Sequence, residues 1–401
     1  MKIVFLDAKT IGDDIDLSAY DTLGEVVKYS FSQPEEVPER AADADVLIVN
    51  KIRIDEAAVG RADHLKLVCV TATGTNNLDK DYLERRGIAW RNVADYSTQS
   101  VAQHTFAMLF FLLEKLRYYD DYVKEGRYIN DTVFTHFAEH FYELKGKTWG
   151  IIGLGNIGRR VAAIAEAFGA EVIYTSPSGS APQEGYHQVD PDTLLAESDI
   201  ISVHAPLNQY TENLINESAL KKMKKTCIFL NLGRGPIVNE QDLADALMQG
   251  EIAAAGLDVL CQEPMSSDNP LMAIKDSRKL FITPHIGWAS VESRTRLMDI
   301  IFIRSKNFSH CHKKRPGRQI QVGQVCSQLG KEGRPGPKTN IVYHFSAKQP
   351  VQQIPGCSCG CKGTSCFFDP VSLPPYQAEP PCKNGNRSSH RYISHDFGLI
   401  L

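Results

Sequence analysis

Short apolar runs alternate with helical or polar segments at the start of the chain. The apolar runs predict strands over residues 2–6, 44–50 and 65–71, and the segments between them have helical or turn character. Alternation of strands and helices is typical of a parallel sheet with helices on its faces. These residues therefore predict a first small α/β unit.

A second series of apolar runs continues to about residue 283. Helical patterns separate the runs, including those over residues 216–223 and 240–249. Five or six strands separated by helices predict a second, doubly wound unit. The predicted strands are one that ends before Gly153 and those over 171–175, 199–204, 226–232, 253–260 and 280–283.

Residues 97–114 start with capping residues and then become almost wholly apolar. A helix that is apolar all round is buried on several sides, so we expect it between domains or in a subunit interface. Tyr118, Tyr119 and Tyr122 are predicted to extend this helix as packing surface. A further helix is predicted over residues 291–307.

Three glycines follow the first strand of the second unit in the spacing G-x-G-x-x-G: Gly153, Gly155 and Gly158. In a strand–turn–helix context this spacing suits a dinucleotide, because a tight turn, a close approach of backbone to pyrophosphate and close helix–strand packing each require glycine. The helix N-terminus then faces the phosphates. The alternative is a structural glycine turn in another α/β protein.

The strand over residues 171–175 ends where an NAD site usually places an acidic residue for the ribose. Thr175 and Ser176 stand there instead, and residues 174–180 contain neither an acid nor a base. Ser176 and Ser178 can hydrogen-bond either cofactor. These residues therefore leave NAD versus NADP open, and NAD is the cofactor that we expect.

Charged side chains follow several of the later strands, at the edge where ligands bind in such sheets. Hydride transfer to a 2-oxo acid needs a cation for the substrate carboxylate, a proton donor, and a carboxylate that orients the donor. Arg234, Glu263 and His285 supply these three groups. Taken singly, they also fit a surface turn, a helix cap and a buried hydrogen-bonded histidine.

The first unit offers a second place for a carboxylate. Small residues around Gly74 leave backbone N–H groups free after the third strand, and such a nest can hold an anion. Lys51, just past the second strand, is predicted near the same crevice. The alternatives are an ordinary βα loop and a solvated lysine.

Composition divides the chain near residue 300. Residues 301–401 contain 14 lysines and arginines against 4 aspartates and glutamates, whereas the preceding part is acidic. The acidic part argues against a nucleic-acid binder, and no apolar run is long enough to span a membrane. Three scattered cysteines suit reduced thiols, so we expect the cytoplasm. They are Cys69, Cys227 and Cys261.

These motifs, in this order, resemble those of the D-isomer-specific 2-hydroxyacid dehydrogenases. The resemblance covers about residues 1–300 and rests on Gly153-x-Gly-x-x-Gly158, Asn231-Leu-Gly-Arg-Gly-x-x-Val238, Asp258 with Glu263-Pro264, and Thr283-Pro-His-Ile-Gly287. Asn50-Lys51 and the segments over 73–79 and 101–107 are similar to the branch of glycerate dehydrogenases (hydroxypyruvate reductases). D-lactate and D-2-hydroxyisocaproate dehydrogenases are the alternatives within the family, and an NAD(H)-sensing corepressor-like regulator is the alternative outside enzymes.

The resemblance implies an α/β fold of two Rossmann-like, doubly wound domains. Residues 1–98 with a return segment over 290–308 would form the substrate domain. Residues 99–289 would form the inserted dinucleotide-binding domain. The family also implies a homodimer built largely on the helix that begins near Val101.

The resemblance further implies a role for each matching position. Arg234 would bind the substrate carboxylate and carbonyl, His285 would exchange the proton, and Glu263 would pair with His285. The remaining implied substrate contacts are Lys51, Thr73, Gly74 and Thr75, and the remaining cofactor contacts are Gly153, Gly155, Asn156, Ile157, Gly158, Thr175, Ser176, His204, Ala205, Pro206, Thr211, Leu232 and Asp258.

Residues 309–401 depart from the family pattern. They are rich in Pro, Gly, Ser, Cys and basic residues, which predicts disorder, and the abrupt change suggests a frameshift or wrongly joined reading frame. Cys357-Ser-Cys-Gly-Cys361 with Cys366 lacks the paired C-x-x-C spacing of zinc sites, so we expect no metal there. We also expect no nucleic-acid or membrane partner.

Overall fold

The computed structural model describes residues 1–179 and 183–314, which form two parallel sheets with helices on their faces. Both sheets are parallel throughout, and most of their inner strands are buried along their whole length. Such strands read as continuous apolar runs because helices cover both faces of a parallel sheet. The predicted α/β class is therefore confirmed.

The first sheet has five strands in the order β2-β1-β3-β4-β5. The strands are β1 (Lys2–Phe5), β2 (Glu25–Lys28), β3 (Val46–Val49), β4 (Leu67–Val70) and β5 (Ala89–Arg91), and the helices between them are α1 (Val37–Ala41), α2 (Glu56–Val59) and α3 (Lys80–Arg85). The three predicted strands are present. The two that were missed, β2 and β5, are edge strands that are only partly buried, so neither carries a continuous apolar run.

The second sheet has seven strands in the order β12-β11-β10-β9-β6-β7-β8. Its strands are β6 (Thr148–Ile152), β7 (Glu171–Thr175), β8 (His187–Gln188), β9 (Ile200–Val203), β10 (Ile228–Asn231), β11 (Ala254–Leu257) and β12 (Leu280–Ile282). Its helices are α4 (Thr98–Leu113), α5 (Leu116–Lys124), α6 (Asn156–Ala167), α7 (Pro191–Glu197), α8 (Glu217–Leu220) and α9 (Glu240–Gln249). The strand beyond the predicted five or six is the two-residue edge strand β8. The chain order reverses between β6 and β9, and this switch point opens the crevice where such sheets bind ligands.

The long helix predicted over residues 97–114 is α4, and it packs against α6 and the second sheet. Ala102, Met108 and Leu112 are fully buried on that side. The prediction that the tyrosines extend this helix is wrong. Lys115 adopts a left-handed backbone (φ 54°), which ends α4, and Tyr118, Tyr119 and Tyr122 lie on the separate helix α5.

The last described helix, α10 (Val291–Lys314), returns to the first sheet. Leu297, Met298 and Ile301 are buried against it, and the hydroxyl of Tyr20 donates a hydrogen bond of 2.8 Å to the carbonyl of Met298. The predictions for the cysteines at 357–366 and for the rest of the segment after residue 314 lie outside the described residues. Within the described part, none of the helices combines the length and the apolar composition that a membrane-spanning segment needs.

Candidate active site

The predicted site residues of the second sheet lie along one edge. Because its strands are all parallel, their carboxyl ends meet at that edge. The residues that lie at or just after these ends are Gly153 (β6), Thr175 (β7), His204 (β9), Leu232 and Arg234 (β10), Asp258 (β11) and His285 (β12).

The glycine loop needs glycine at two positions for steric reasons. Gly153 has a φ of 94°, and a Cβ there would lie 2.7 Å from the backbone nitrogen of Ala205. A Cβ on Gly158 would lie 2.4 Å from the carbonyl oxygen of Gly153. The loop therefore brings β6, α6 and the segment after β9 into direct contact.

Gly155 has open space where a side chain would be, and it is the N-cap of α6. Among the described residues, no side chain caps the amides of the first helical turn, which includes Asn156 and the half-buried Ile157. Free amides at a helix N-terminus are suited to a phosphate group. The amide of Asn156's own side chain instead donates to Asp95, on the segment that crosses from the first sheet.

The end of β7 is uncharged. Thr175 is buried and its carbonyl accepts a hydrogen bond of 2.9 Å from the amide of Gly153. Ser176 follows it, half-buried, beside the glycine loop. A ribose 2′-hydroxyl or 2′-phosphate at this place would meet hydroxyl groups rather than a carboxylate.

His204 follows β9 and is half-buried. Its Nε2 lies 3.1 Å from the hydroxyl of Ser202, which also accepts a hydrogen bond from the indole of Trp149. Its Nδ1 is buried and has no hydrogen-bond partner in the described part of the chain. Burial lowers the pKa of His204 to about 3, so the ring is neutral at physiological pH.

The segment after β9 is shaped by its own hydrogen bonds. The buried hydroxyl of Thr211 donates to the carbonyl of Pro206 at 2.7 Å and accepts from the amide of Asn208 at 2.8 Å. This hydroxyl is therefore used inside the loop. Ala205 is buried against Gly153, and Leu232 is buried after β10.

His285 and Glu263 form a close pair. Nδ1 of His285 lies 2.7 Å from Oε2 of Glu263, and Oε1 of Glu263 accepts a hydrogen bond of 3.1 Å from the amide of Leu260. Partial burial acts to raise the pKa of the Glu263 carboxyl, but the hydrogen bond and charge of His285 with the other nearby groups outweigh it, and the pKa lies below its ordinary value. The pairing through Nδ1 leaves Nε2 of His285 to exchange a proton.

Arg234 reaches across to the first sheet. Its Nη1 donates a hydrogen bond of 2.7 Å to the carbonyl of Gly233. Its Nη2 lies 3.0 Å from the position that a Cβ on Gly74 would take. Asn231 fixes the turn, because its side chain donates to the carbonyl of Arg234 and accepts from the amide of Gly233. The structure thus brings the predicted arginine and the predicted anion-binding loop together.

The remaining first-sheet residues lie after β3 and β4. The charge of Lys51 helps to lower the pKa of Glu263, which places its ammonium within electrostatic range across the crevice. The hydroxyl of Thr73 donates a hydrogen bond of 3.0 Å to the carbonyl of Val93, so it is already used within the first unit. The carbonyl of Thr75 accepts from the amide of Leu78 and closes the turn over residues 75–78, directly after Gly74.

Asp258 anchors the loop that carries His285. It accepts hydrogen bonds from the hydroxyl of Thr283 at 2.7 Å and from the amides of Ile286 and Gly287, each at 2.9 Å. Burial acts to raise the pKa of Asp258, and these hydrogen bonds with that of His104 outweigh it, so the pKa lies below its ordinary value.

Three residues near the site were given no role from the sequence. Asp7 accepts hydrogen bonds from the amides of Asn50 and Lys51 and so holds the turn after β3. Ser100 and His104 on α4 contact the His285 loop. His104 lies inside the segment 101–107 that resembles the glycerate dehydrogenase branch, but only the fold shows which residues it meets.

The comparison with known proteins agrees with this arrangement. Residues 106–287 match the family model described as the NAD-binding domain of D-isomer specific 2-hydroxyacid dehydrogenases. The chain is 39% identical over 308 residues to a hydroxypyruvate reductase of Blautia hydrogenotrophica, covering 75% of this chain and 94% of the relative. It is 35% identical over 299 residues to a glycerate dehydrogenase of Methylorubrum extorquens, covering 74% and 93%.

A solved structure has the same fold over most of the described chain. The D-lactate dehydrogenase of Aquifex aeolicus, solved with NAD and lactic acid, superposes with a TM-score of 0.68 at 27% identity, covering 80% of this chain and 97% of that one. The chain thus has the fold, the glycine loop and the strand-end residues described above, and it matches nearly the whole length of these relatives. This chain belongs to the D-isomer specific 2-hydroxyacid dehydrogenases, which are NAD(P)-dependent oxidoreductases.

Proposed function

We propose that the protein reduces hydroxypyruvate, or a similarly small 2-oxo acid, to the D-2-hydroxy acid. One observation carries the proposal: Arg234 lies against Gly74 in the crevice that also holds the His285–Glu263 pair and the charge of Lys51. A cation, an anion-binding loop and a histidine oriented by a carboxylate are the groups that reduction of a 2-oxo acid needs. The two relatives named for hydroxypyruvate and glycerate support the choice of substrate.

In the proposed reaction, Arg234 binds the substrate carboxylate and polarises the carbonyl, because its planar fork of donors fits a carboxylate. The backbone amides of Thr73, Gly74 and Thr75 hold the other side of that carboxylate. His285 donates a proton from Nε2 to the carbonyl oxygen, and Glu263 stabilises the imidazolium through Nδ1. Lys51 adds positive charge at the first-sheet side of the crevice. Bound NAD(P)H supplies the hydride.

The residues of the glycine loop fit the dinucleotide. Gly155 leaves room for a pyrophosphate, and the uncapped first turn of α6 offers its amides. We propose that Asn156, Ile157 and the three glycines contact the pyrophosphate. Thr175, Ser176, His204, Ala205, Pro206 and Thr211 would surround the adenosine end, with Leu232 and Asp258 towards the nicotinamide. The uncharged end of β7 supports use of both NADH and NADPH.

We also propose that two copies of the chain associate. The segment over residues 127–143 follows α5 and exposes large apolar side chains, among them Ile129 (83% exposed), Phe134 (89%) and Phe137 (78%). A monomeric protein rarely exposes so many neighbouring apolar groups. A second copy would cover them, and sedimentation should give twice the mass of the chain. Phe134→Glu should give the single mass, whereas a single mass for the wild type would contradict the homodimer.

The division into domains follows the two sheets. We propose a substrate domain of residues 1–98 with the return segment 290–308, and a dinucleotide-binding domain of residues 99–289. Packing of α10 on the first sheet supports the return. The buried free thiols of Cys69 and Cys227 support a reducing compartment such as the cytoplasm.

Turnover is the test of the function. Purified protein is mixed with NADH or NADPH and a panel containing hydroxypyruvate, glyoxylate, pyruvate and 2-oxoisocaproate, and the loss of reduced cofactor is followed by absorbance. Hydroxypyruvate should give the highest kcat/KM. Tight NADH binding without turnover on any member would favour the NAD(H)-sensing regulator instead. Arg234→Ala should lower kcat/KM by about 100-fold or more, since it removes a charge-assisted bidentate contact.

A further inference from the structure

Two residues on α4 hold the loop that carries His285. The hydroxyl of Ser100 donates a hydrogen bond of 2.7 Å to the carbonyl of Gly287. Nε2 of His104 lies 3.0 Å from the hydroxyl oxygen of Thr283. Ser100 and His104 are four residues apart, so they share one face of the helix, and together they contact both ends of the loop 283–287.

The direction of these hydrogen bonds follows from Asp258. The hydroxyl of Thr283 lies 2.7 Å from a carboxylate oxygen of Asp258, to which it must donate. Its oxygen then accepts from His104, so Nε2 of His104 carries a hydrogen. The same nitrogen lies 3.4 Å from Asp258. His104 therefore donates a hydrogen bond to Thr283, which with Asp258 anchors the loop.

The loop has little room to move against these anchors. A Cβ on Gly287 would lie 2.7 Å from Oδ2 of Asp258 and 3.3 Å from the His104 ring. His285 itself has a φ of 54°, a backbone conformation that residues other than glycine rarely adopt. Such a conformation persists only where the surroundings enforce it.

We propose that Ser100 and His104 are positioning residues, which keep Nε2 of His285 where it can transfer a proton to the substrate. The proposal rests on the role given to His285 in the proposed function. Neither side chain touches the substrate. Both act through the loop, since the anchored atoms belong to Thr283 and Gly287 on the two sides of His285. Loss of the donor on His104 leaves the Thr283 hydroxyl bonded to Asp258 alone and so loosens that end of the loop.

Four variants separate this role from general packing. His104→Phe keeps a ring and removes the donor. His104→Gln restores an N–H near the position of Nε2. Ser100→Ala removes the other hydrogen bond, and Gln103→Ala is the matched control, because Gln103 is exposed on the same helix.

The enzyme assays measure kcat, KM for the 2-oxo acid, NADH affinity and the isotope effect with NADH deuterated at C4. His104→Phe should lower kcat by about 10- to 100-fold, because displacement of a catalytic group by about 1 Å costs that much. KM should change less than about threefold, since Arg234 is untouched. The isotope effect should rise, and His104→Gln should recover most of kcat. Ser100→Ala should lower kcat, and Gln103→Ala should not.

Hydrogen exchange of the peptide that contains residues 283–287 gives a readout that needs no turnover. His104→Phe and Ser100→Ala should speed exchange at Ile286 and Gly287, and Gln103→Ala should not. Absence of turnover in the wild type would refute the proposed function. Unchanged hydrogen exchange in both variants would refute the positioning role of Ser100 and His104. Wild-type kcat in His104→Phe, or no recovery of kcat in His104→Gln while NADH still binds normally, would also overturn the proposal.

Discussion

At the scale of single residues, the pair formed by His285 and Glu263 sets the charge available to the reaction. The pKa of Glu263 lies below its ordinary value, so it is an anion wherever the enzyme would work. Its carboxylate lies 2.7 Å from Nδ1 of His285 and so fixes the orientation of the ring. Reduction of a 2-oxo acid needs the protonated ring, and oxidation of the hydroxy acid needs the neutral one.

Glu263→Gln should therefore lower kcat in both directions of reaction by about 10-fold or more, because the charge-assisted hydrogen bond that orients the ring of His285 is lost. KM for the 2-oxo acid should change less than about threefold, since Arg234 is untouched. Glu240→Gln is the matched control, because Glu240 bonds the amide of Cys261 in the same region without touching His285. Wild-type kcat in Glu263→Gln would contradict the assigned role.

His204 is a second residue whose burial has a measurable consequence. Its pKa is about 3 in the folded protein, below the ordinary 6.5. Between these two pH values the unfolded chain binds a proton that the folded chain lacks, so stability falls as the pH falls through this window. The contribution is fully present above pH 6.5.

His204→Gln should remove this part of the acid sensitivity. Between about pH 6 and pH 4, the free energy of unfolding should fall less steeply than in the wild type, by about 1.4 kcal/mol per pH unit. Urea titrations at a series of pH values measure the slope. His64→Gln, at an exposed position, is the control and should leave the slope unchanged. Equal slopes for wild type and His204→Gln would show that the ring is not shielded from protons.

At the scale of elements, the glycine loop separates a steric requirement from a ligand requirement. A Cβ on Gly158 meets the carbonyl of Gly153 at 2.4 Å, so Gly158→Ala should destabilise the protein by about 1–3 kcal/mol. Gly155 has open space and an ordinary φ of −76°, so Gly155→Ala should change stability by less than about 0.5 kcal/mol.

The affinity for NADH should also distinguish Gly155→Ala from Gly158→Ala. Gly155→Ala should weaken NADH binding by about tenfold or more, equivalent to about 1.4 kcal/mol, because its methyl group fills the space intended for the pyrophosphate. Chemical denaturation and fluorescence titration with NADH measure both quantities. If Gly155→Ala binds NADH with wild-type affinity, the pyrophosphate does not bind at Gly155. If Gly158→Ala is as stable as the wild type, the steric argument is wrong.

The elements that the sequence predicts well are those whose burial is continuous. Strands β3, β4, β9 and β10 are buried at every position, and each reads as an uninterrupted apolar run. The edge strand β8 has two residues, one of them exposed, so no periodicity marks it. The break between α4 and α5 depends on the left-handed backbone of Lys115. Nothing about a lysine side chain predicts that conformation.

The residues of the candidate active site also differ in how far the sequence predicts them. Arg234 and His285 could be predicted at one edge because both follow strands of the same parallel sheet, whereas the pairing of Glu263 with His285 was implied by the family resemblance. The contact of Ser100 with Gly287 joins residues 187 positions apart, and that of His104 with Thr283 joins residues 179 apart. Such contacts depend on how α4 packs, which no local pattern encodes.

At the scale of the whole molecule, the proposed reaction needs side chains from both sheets, while the dinucleotide would be bound mainly by the second. With the proposed division into two domains, NADH becomes a selective probe of stability, because a ligand stabilises the domain that binds it. Two leucines are suited to the comparison. Leu297 on α10 is fully buried against the first sheet, and Leu243 on α9 is fully buried in the second.

Leu297→Ala and Leu243→Ala should each cost about 2–5 kcal/mol, since each removes a buried leucine side chain. NADH at about 100 times its Kd should return about 2.7 kcal/mol to the unit that contains Leu243. It should return much less to the first sheet, where Leu297→Ala loosens the packing of α10. Calorimetry with and without NADH measures the difference. Equal recovery of the two variants would mean that the two sheets unfold as one unit and share the energy of cofactor binding.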